Sequence, residues 1–454
     1  MGPLTVAAFL VACLLGTGFP SIATSLCLSL FATKQVLQAS VSYFRDSLAG
    51  SQSINVAVGA VAAIAATRRI VSDPTRLHGF LNSTWYLTIA LYLWAIISCS
   101  WSYAGKQGLE VFATGAPYLI LFTIIVPLLI ANLEEWCRVT WVWLLLATCV
   151  AALILVNPEF TTRSGRLGLD LGVAGLKSTR TNPLEIGAAG GYCLMLGMLY
   201  QSATRPVLVN WIRIIAVLVG TALAIRSGSR GQFVFALISA VLAFPIAKPI
   251  TDFRRAAVSL VSLGILLVVI LLLADRVRSS GSFEDERRWS STEFSSGSDV
   301  RFGNILLLLG EYAASPSRWL TGLGFYSYST LDPTQEYSHC TSVDALAELG
   351  LIGAAIFTTI ILQAFWFAKQ IFGWVSDSPR LRNGLGCLVG MLIYQFLLAN
   401  KQGNLVGSNL LFGTILLLAR IRISEMHQPS SQQTELEAES HEHGSQVAVD
   451  ADLA

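Results

Sequence analysis

The chain has 454 residues, of which 54% are hydrophobic and 13% charged, and its net charge at neutral pH is +2. Soluble globular proteins carry about 25% charged residues, and a core this apolar would leave too few polar side chains to cover its surface. The composition therefore excludes an ordinary soluble domain, and the near-neutral charge gives no reason to expect binding to nucleic acid.

Apolar runs between charged residues predict about twelve membrane-spanning helices within residues 1–425. Runs of about 18 or more apolar residues are typical of membrane spans, and inside lipid the backbone polar groups must be satisfied within the same helix. The sequence therefore predicts an all-α polytopic integral membrane protein. The predicted spans lie near residues 4–32, 51–67, 84–100, 111–131, 138–156, 184–200, 207–225, 231–247, 256–274, 343–368, 384–400 and 404–420.

The first predicted span could be mistaken for a signal peptide. It has no positively charged start, because residues 1–33 contain no Lys or Arg, and such a start is typical of secretory signals. We therefore interpret it as a retained span that is broken or kinked between Gly16 and Pro20, where proline removes a helical hydrogen bond.

Basic residues in the short loops predict the orientation of the spans. Lys and Arg in such loops mark the cytoplasmic side, and the loops after the second, eighth, tenth and twelfth spans carry them. An even number of spans then places both ends of the chain in the cytoplasm and one long loop, residues 275–342, outside. The tail, residues 426–454, is rich in Gln, Ser and Glu and is predicted to be disordered.

The segments predicted to lie outside contain more arginine than this rule favours. Arg226 and Arg230 flank a tight Gly/Ser turn without a nearby acidic residue, and Arg180 and Arg301 lie in two longer outer segments. Guanidinium groups bind phosphate oxygens through several hydrogen bonds at once. The cluster therefore indicates an anionic substrate with a lipid part, such as a polyprenyl diphosphate. The alternative, solvated charges paired with acids, fits the arginines that follow residues 284–286.

Two further ionisable residues could carry chemistry. His339 is the only histidine in the predicted outer loops, and it precedes a helix predicted to begin near Ser342. An imidazole at a water–lipid boundary can accept a proton near neutral pH, although a lone histidine is more often structural. Glu348 lies inside a predicted apolar span, where an ionisable residue is costly and indicates a functional site. The alternative is a carboxylate stabilised near a helix start together with Asp344.

The eight cysteines do not indicate a metal or disulfide site. Seven sit in apolar stretches at irregular spacing, and the sequence has no Cys-x-x-Cys motif and no Cys/His cluster, the patterns that bind zinc or form disulfide frameworks. Neither a metal nor a cofactor is therefore predicted.

Three motifs in order resemble the O-antigen ligase and O-antigen polymerase superfamily. The first, Thr179–Gly187, contains an Arg-x-Asn-Pro segment that opens a glycine-rich span; the second, Ser227–Phe233, opens the next span but one. The third, residues 301–353, contains the loop histidine. With the twelve spans and the long outer loop, the resemblance covers roughly residues 155–370. Cys340 is a departure, since Asn or Ser often follows the histidine in the family.

The resemblance implies an inverting, metal-independent glycosyltransferase on the outer face of a bacterial inner membrane. The donor would be an undecaprenyl-diphosphate-linked glycan, and the acceptor a hydroxyl group on a second lipid-linked glycan or on a lipid A core. Membrane lipid and other polysaccharide-assembly proteins would be further partners. A diphosphate is a good leaving group, so catalysis mainly requires positive charge placed where negative charge develops on it. The candidate catalytic residues are His339, Arg230 and Glu348, and the candidate diphosphate ligands are Arg180, Arg226, Arg230 and Arg301.

Two other classes of function stay open at this point. A transporter, for instance a flippase of lipid-linked glycans, would place polar groups near mid-membrane at a repeat interface, whereas the charges here crowd the outer boundary. A structural scaffold would not need the outer arginines. The motifs do not separate a ligase from a polymerase.

Overall fold

The computed structural model of the chain describes residues 2–77, 79–163, 165–172, 180–201, 206–248, 291–332 and 338–427, and these residues are mainly helical. The helices begin with α1 (Gly2–Gly18), α2 (Pro20–Leu28), α3 (Leu30–Ser40), α4 (Ser42–Asp46), α5 (Leu48–Ser72), α6 (Ser83–Ser98), α7 (Gly105–Ile120), α8 (Val126–Leu129) and α9 (Leu133–Val156), with a π-helical turn, Leu121–Ile125, before α8 and a 3₁₀ turn, Pro74–Leu77, after α5. They continue as α10 (Pro183–Leu199), α11 (Pro206–Arg226), α12 (Arg230–Ala247), α13 (Ser291–Ala313), α14 (Tyr328–Leu331), α15 (Thr341–Ala347), α16 (Gly350–Trp374), α17 (Pro379–Gln402) and α18 (Asn409–His427), with a 3₁₀ turn, Pro316–Arg318, after α13.

Seven helices among the described residues are long and apolar enough to cross a membrane. At about 1.5 Å per residue, a helix of about 20 residues spans the ~30 Å hydrocarbon core of a bilayer. The expectation of a mainly helical polytopic membrane protein is therefore confirmed at this level, while the predicted span near residues 256–274 lies outside the described residues. The seven are Leu48–Ser72, Gly105–Leu129, Leu133–Val156, Val207–Arg226, Arg230–Ala247, Gly350–Trp374 and Pro379–Gln402, and α1, α6 and α10 are shorter apolar helices.

The helices run back and forth between two faces of the molecule. On one, which we call the Glu135 face, Arg76 pairs with Glu135 at the start of α9 (Nη2 to Oε1, 2.8 Å). The Arg420 guanidinium of α18 donates a hydrogen bond to the Arg76 carbonyl oxygen (2.7 Å), and Arg380 of α17 lies 3.5 Å from Glu134. Arginines from three of the basic loops that the sequence assigns to one side therefore meet on this face.

A β-hairpin marks the opposite end of the molecule, which we call the hairpin face. Strand β1 (Phe160–Arg163) pairs antiparallel with β2 (Arg166–Leu169) across a turn in which Gly165 has a φ of +65°. After the hairpin the Thr181 N–H donates to the Leu169 carbonyl oxygen (2.8 Å), next to the start of α10. The hairpin is a small local addition to the helical fold, and Gly165 in the left-handed region allows its tight reversal.

The N-terminal segment is broken between Gly18 and Pro20 and forms a helical hairpin. Phe19 is extended before Pro20, as a residue before proline tends to be, and the chain reverses there. Gly16 then packs against Ala23, and Gly2 lies against the Ser40 carbonyl oxygen, so α1 is antiparallel to α2 and α3. The predicted single span over residues 4–32 is therefore wrong. Gly2 lies at the hairpin face, whereas α18 ends at the Glu135 face, so the prediction that both ends share one side is also wrong for the described chain.

Helices α10 and α11 approach closely because both have glycine at their crossing. A Cβ atom added to Gly190 would lie 2.8 Å from the Gly220 carbonyl oxygen, so the close-packed interior has no room for a larger side chain there. Gly187, nearer the hairpin face, packs against the side chains of Ser227 and Ser229. The glycine-rich helix therefore brings the turn that follows α11 against the start of α10.

The helices that carry the motifs begin where the sequence predicts them. Helix α10 begins at Pro183, and Asn182 caps it by accepting a hydrogen bond from the Leu184 N–H (3.0 Å). Asn is a favoured N-cap and Pro a favoured first helical residue. Helix α12 begins at Arg230 and α15 at Thr341. The motif residues thus lie at helix starts on the hairpin face.

Candidate functional site

The Gly/Ser turn between α11 and α12 is packed against the β-hairpin. Gly228 has a φ of +67°, and a Cβ atom there would lie 2.0 Å from the Gly165 carbonyl oxygen, so only glycine fits. The Ser227 hydroxyl accepts a hydrogen bond from the Ser229 N–H (3.2 Å), which closes the turn. Arg230 therefore begins α12 next to the hairpin.

The two other arginines predicted in this region contact the main chain. Arg180 donates through Nη2 to the carbonyl oxygens of Arg166 (3.1 Å) and Thr161, so its guanidinium holds the hairpin together. Arg226 donates to the Leu155 carbonyl oxygen at the end of α9 (3.2 Å). Both residues help to build the hairpin face, and their binding of a diphosphate stays a prediction.

Four cationic side chains lie near one another on the hairpin face. The Lys401 ammonium, at the end of α17, lies within electrostatic range of the guanidinium groups of Arg166, Arg230 and Arg301. These residues belong to α17, β2, α12 and α13, which are far apart in the sequence, so the fold assembles them. We call these four residues the cationic cluster. Such a concentration of positive charge attracts polyanions.

Lys401 is held in the cationic cluster by its neighbours on α12. Its side chain lies over Gly231, where an added Cβ atom would come within 1.9 Å of Nζ, and Nζ donates to Oε1 of Gln232 (3.2 Å). Gln232 in turn donates to Oε1 of Gln402 (2.5 Å). The glycine after Arg230 therefore makes room for the lysine, and two glutamines fix its position.

His339 lies in a turn that is docked on the end of α17. Its backbone φ is +67°, a left-handed conformation that is uncommon outside glycine. On one side of the turn the Ser338 hydroxyl donates to Oδ1 of Asp344 (2.5 Å). On the other side, Oδ1 of Asn400 accepts the Ser342 N–H (3.2 Å). Because Asn400 immediately precedes the lysine of the cationic cluster, the turn places the histidine beside that cluster.

Arg301 is the member of the cationic cluster whose charge acts on His339. Burial of the ring and the positive charge of Arg301 both lower the pKa of His339 below the ordinary value for histidine. The ring is therefore mostly neutral at neutral pH. A neutral imidazole can accept a proton, as a general base must.

Glu348 anchors a loop and lies outside the apolar span, so its predicted position within a span is wrong. The break is at Gly350, which has a φ of +71° and begins α16. The buried Glu348 carboxylate accepts hydrogen bonds from the N–H groups of Tyr326 (2.9 Å) and Tyr328 (3.0 Å). Burial raises the pKa of Glu348 to about 7, and burial raises the pKa of the neighbouring Asp344 as well. These contacts are those of a structural anchor.

We expect Glu348→Ala to destabilise the protein. It would leave two buried N–H groups without their acceptor, at about 1–3 kcal/mol each, whereas Glu348→Gln keeps one amide oxygen and should be destabilised less. Thermal unfolding of the purified variants, with activity expressed per folded molecule, checks the expectation. Normal stability of the alanine variant, or activity lost in a fully folded glutamine variant, would contradict the structural role.

A cavity of about 540 Å³ adjoins the cationic cluster. Gln402 lines the cavity and also accepts the hydrogen bond from Gln232, so one side chain joins the two features. Asn182 lines it at the hairpin face, and Trp143, well inside α9, lines its deeper part together with Phe31. Most of the wall is apolar. The cavity therefore leads from the charged face toward the middle of the helical bundle.

The structure brings together some of the predicted site residues and separates others. The charge of Arg301 acts on His339, and the charges of Arg230 and Arg301 both act on Lys401. The Glu348 carboxylate is instead engaged by the N–H groups of Tyr326 and Tyr328. Of the predicted catalytic group, Arg230 and His339 are therefore linked through Lys401 and Arg301, whereas Glu348 holds a neighbouring loop.

Sequence reasoning missed two members of the cationic cluster. Arg166 is one of several arginines in an outer segment, and nothing in the sequence sets it apart. Lys401 lies in the very short connection between two predicted spans. A lysine kept at such a tight outer turn is against the positive-inside tendency, and that is the signal that could have found it.

A comparison with protein-family models and a comparison with curated proteins each find no match for this chain. The likeness to the O-antigen ligase and polymerase superfamily therefore rests on the three motifs. Within the part of the chain that the structure describes, no group of three or more His, Cys, Asp or Glu side chains is arranged to hold a metal ion.

Proposed function

We propose that the chain is a membrane glycosyltransferase of the O-antigen ligase or polymerase type, which transfers glycan from an undecaprenyl diphosphate carrier. The observation that carries the proposal is the cationic cluster, which adjoins a half-buried histidine and a largely apolar cavity. The cationic cluster would bind the diphosphate, the histidine would accept the proton of the acceptor hydroxyl, and the cavity would hold the lipid chain.

The cationic cluster is suited to the diphosphate. Arginine presents several N–H donors in a plane and can bind two phosphate oxygens at once, while lysine adds a compact point charge. Arg230 and Lys401 come from adjoining helix ends, and Arg166 lies on the hairpin that packs against the turn before Arg230. Cations fixed in place before the reaction stabilise charge that develops on a leaving group without having to reorganise.

The proposed reaction is a single inverting displacement. The acceptor hydroxyl oxygen attacks the anomeric carbon from the side opposite the diphosphate, and the carbon–oxygen bond to the diphosphate breaks with its electron pair on the leaving group. His339 takes the hydroxyl proton, for which a neutral imidazole is required. The products are the extended glycan, the carrier diphosphate held by the cationic cluster, and a protonated His339.

The cavity is suited to the first isoprenyl units of the carrier. Its deeper wall, with Trp143 and Phe31, is apolar, and its upper end meets the cationic cluster at Gln402. Apolar walls with a few placed polar groups are typical of small-molecule sites. A lipid that occupies the cavity would present its diphosphate to the cluster.

We propose further that the hairpin face lies outside a bacterial inner membrane. The seven long apolar helices, and the shorter helices that run between the same two faces, would then supply most of the twelve predicted spans. The arginines of the Glu135 face would lie in the cytoplasm, as the positive-inside tendency requires.

Cysteine labelling tests this orientation. Thr162 is exposed on β1 at the hairpin face, and Asp377 is exposed between α16 and α17 at the Glu135 face. In a cysteine-depleted background, we expect an impermeant maleimide to label Thr162→Cys in intact cells and Asp377→Cys only after lysis. The reverse pattern would overturn the orientation.

The composition of surface glycans in a deletion strain tests the function. A ligase predicts that glycan chains are missing from lipid A, and a polymerase predicts products with a single repeat. Unchanged surface glycans of normal length would contradict both.

A flippase for lipid-linked glycans is the second candidate, and one observation favours it. Glu185 lines the cavity and accepts a hydrogen bond from Nε2 of Gln35 (2.9 Å). It also lies within electrostatic range of the Lys34 ammonium group. Ionisable groups inside a membrane protein often mark a transport path. A flippase would move the lipid-linked glycan across the membrane with its diphosphate bond intact, whereas a transferase breaks that bond.

A further inference from the structure

Helix α13, which carries Arg301, exposes a purely apolar stripe. The exposed fractions of Phe302, Leu306 and Leu307 are 62%, 52% and 46%. From residue 300 to 314 every exposed residue is apolar or glycine. The exposed positions are Val300, Phe302, Gly303, Leu306, Leu307, Gly310, Ala313 and Ala314.

Over the residues of α13 whose side chains the structure describes, 300–313, the opposite side carries the polar groups and packs on the protein. Asn304, Leu308 and Tyr312 are buried, and Arg301 is half-buried on the same side. At about 100° per residue, Arg301 lies about 140° around the helix from Leu306. The helix is therefore inverted relative to a helix on a water-exposed surface, which buries its apolar side and exposes its charges.

The apolar stripe lies on a chain segment that is hydrogen-bonded to the start of a membrane-spanning helix. After α13, Trp319 and Leu320 are exposed, and the Trp319 carbonyl oxygen accepts the Leu351 N–H of α16 (2.9 Å). Leu351 is itself 52% exposed at the start of that span. The Arg318 guanidinium lies over the Tyr103 ring (4.8 Å to the centroid). Aromatic and basic residues are typical of the membrane–water interface.

We propose that the exposed stripe of α13 binds the bilayer, with its apolar side chains among the acyl chains of the leaflet at the hairpin face. Its continuity with α16 favours lipid over water, and its lack of charge favours the acyl region over the headgroups. A second copy of this chain is another apolar occupant, and the accessibility of the stripe to oxygen and to a water-soluble reagent distinguishes it from lipid. The predicted loop over residues 275–342 would then include a helix seated in the membrane surface.

This lipid contact would fix the depth of the cationic cluster, an inference that rests on the proposed function. Arg301 projects from α13 on the side away from the lipid and acts on both His339 and Lys401. The carrier diphosphate of a membrane lipid lies at the headgroup level. A helix anchored at that level by its apolar stripe would hold Arg301 where the diphosphate is.

Nitroxide labels on the purified protein in liposomes test the lipid contact directly. We expect labels at Leu306→Cys and Leu307→Cys, in a cysteine-depleted background, to be relaxed strongly by oxygen, which concentrates in acyl chains, and weakly by a water-soluble nickel chelate. Leu362→Cys, at a 63% exposed position within the α16 span, is the lipid control, and Thr162→Cys on β1 is the water control.

Each outcome of this measurement decides the proposal. Strong relaxation by the nickel chelate, as at Thr162, would show that water covers the stripe and would overturn it. Low accessibility to both reagents would show a protein contact, such as a second copy, and would overturn it as well. Neither result depends on catalytic activity, so a failed glycosyltransferase proposal leaves this one standing.

A charge on the stripe provides the functional readout. If both proposals hold, Leu306→Asp should reduce glycan transfer at least tenfold while Leu306→Ala stays within about twofold of the native rate. Loss of transfer by both variants in folded protein would indicate a packing role and contradict the lipid contact.

Discussion

Replacing His339 with asparagine should reduce the rate of glycan transfer by about 10²–10⁴, the usual contribution of a positioned acid–base group. Asparagine tolerates the left-handed backbone that His339 adopts (φ +67°) better than most residues do. The loss would therefore report the missing imidazole and not a strained turn. It should appear in kcat at saturating acceptor, with little change in the KM for the donor.

The neighbouring residue supplies the control. Cys340→Ala removes a thiol that lies 3.5 Å from Oδ1 of Asn400 and should leave transfer near the native rate. A folded His339→Asn protein with full activity would remove His339 from the site. Equal losses in both variants would indicate that the turn as a whole matters and not the imidazole.

The pH profile provides a second readout for the same residue. Burial and Arg301 lower the pKa of His339, so the base form of the imidazole persists at lower pH. On the acid side of the pH profile, the midpoint of the fall in kcat should therefore lie below the ordinary pKa of histidine. Arg301→Gln removes one of the two causes of the lowered pKa of His339. It should therefore move the midpoint of the acid side of the profile to higher pH, and it should also weaken the binding of the diphosphate.

Replacing Arg230 with alanine should reduce transfer by about 10²–10³, the range found for loss of one group that stabilises developing negative charge. Arg230 begins α12 in the cationic cluster, so its removal weakens the field at the leaving diphosphate. Arg230→Lys should restore part of the activity, because a lysine supplies the charge without the planar set of donors.

Arg163 provides a matched control on the hairpin. It pairs with Asp170 (2.9 Å), and its side chain is mostly exposed. Arg163→Ala changes the net charge by the same amount as Arg230→Ala and should leave transfer unchanged. Rates measured in liposomes per folded molecule decide the case, and an Arg230→Ala variant as active as Arg163→Ala would exclude Arg230 from the site.

Local sequence signals predicted the helix starts and part of the candidate site. Asn182 and Pro183 begin α10, and the Gly/Ser turn before Arg230 begins α12. These features depend on capping and turn chemistry within a few residues, which a sequence displays directly. The start of the helix after His339 follows from the same kind of local pattern, whereas its end at Ala347 does not, because the sequence predicts a long span there.

The remaining features depend on contacts between distant segments. Lys401 joins the cluster because Gly231, on another helix, leaves room for it. The N-terminal hairpin depends on packing of α1 against α2, and a hydrophobic run alone does not separate one kinked span from two antiparallel helices. Glu348 anchors a loop because its carboxylate oxygens accept hydrogen bonds from the N–H groups of Tyr326 and Tyr328. Sequence spacing does not show this arrangement.

The most direct test of the central claim is the fate of the diphosphate bond. Purified protein in liposomes would be given a labelled undecaprenyl-diphosphate-linked glycan, together with either a second lipid-linked glycan or a lipid A core as acceptor. We predict that one undecaprenyl diphosphate is released for each glycan transferred, and that release stops in the His339→Asn variant. Folded protein that transfers no glycan to either acceptor, or that moves the donor across the membrane with its diphosphate bond intact, would contradict the account.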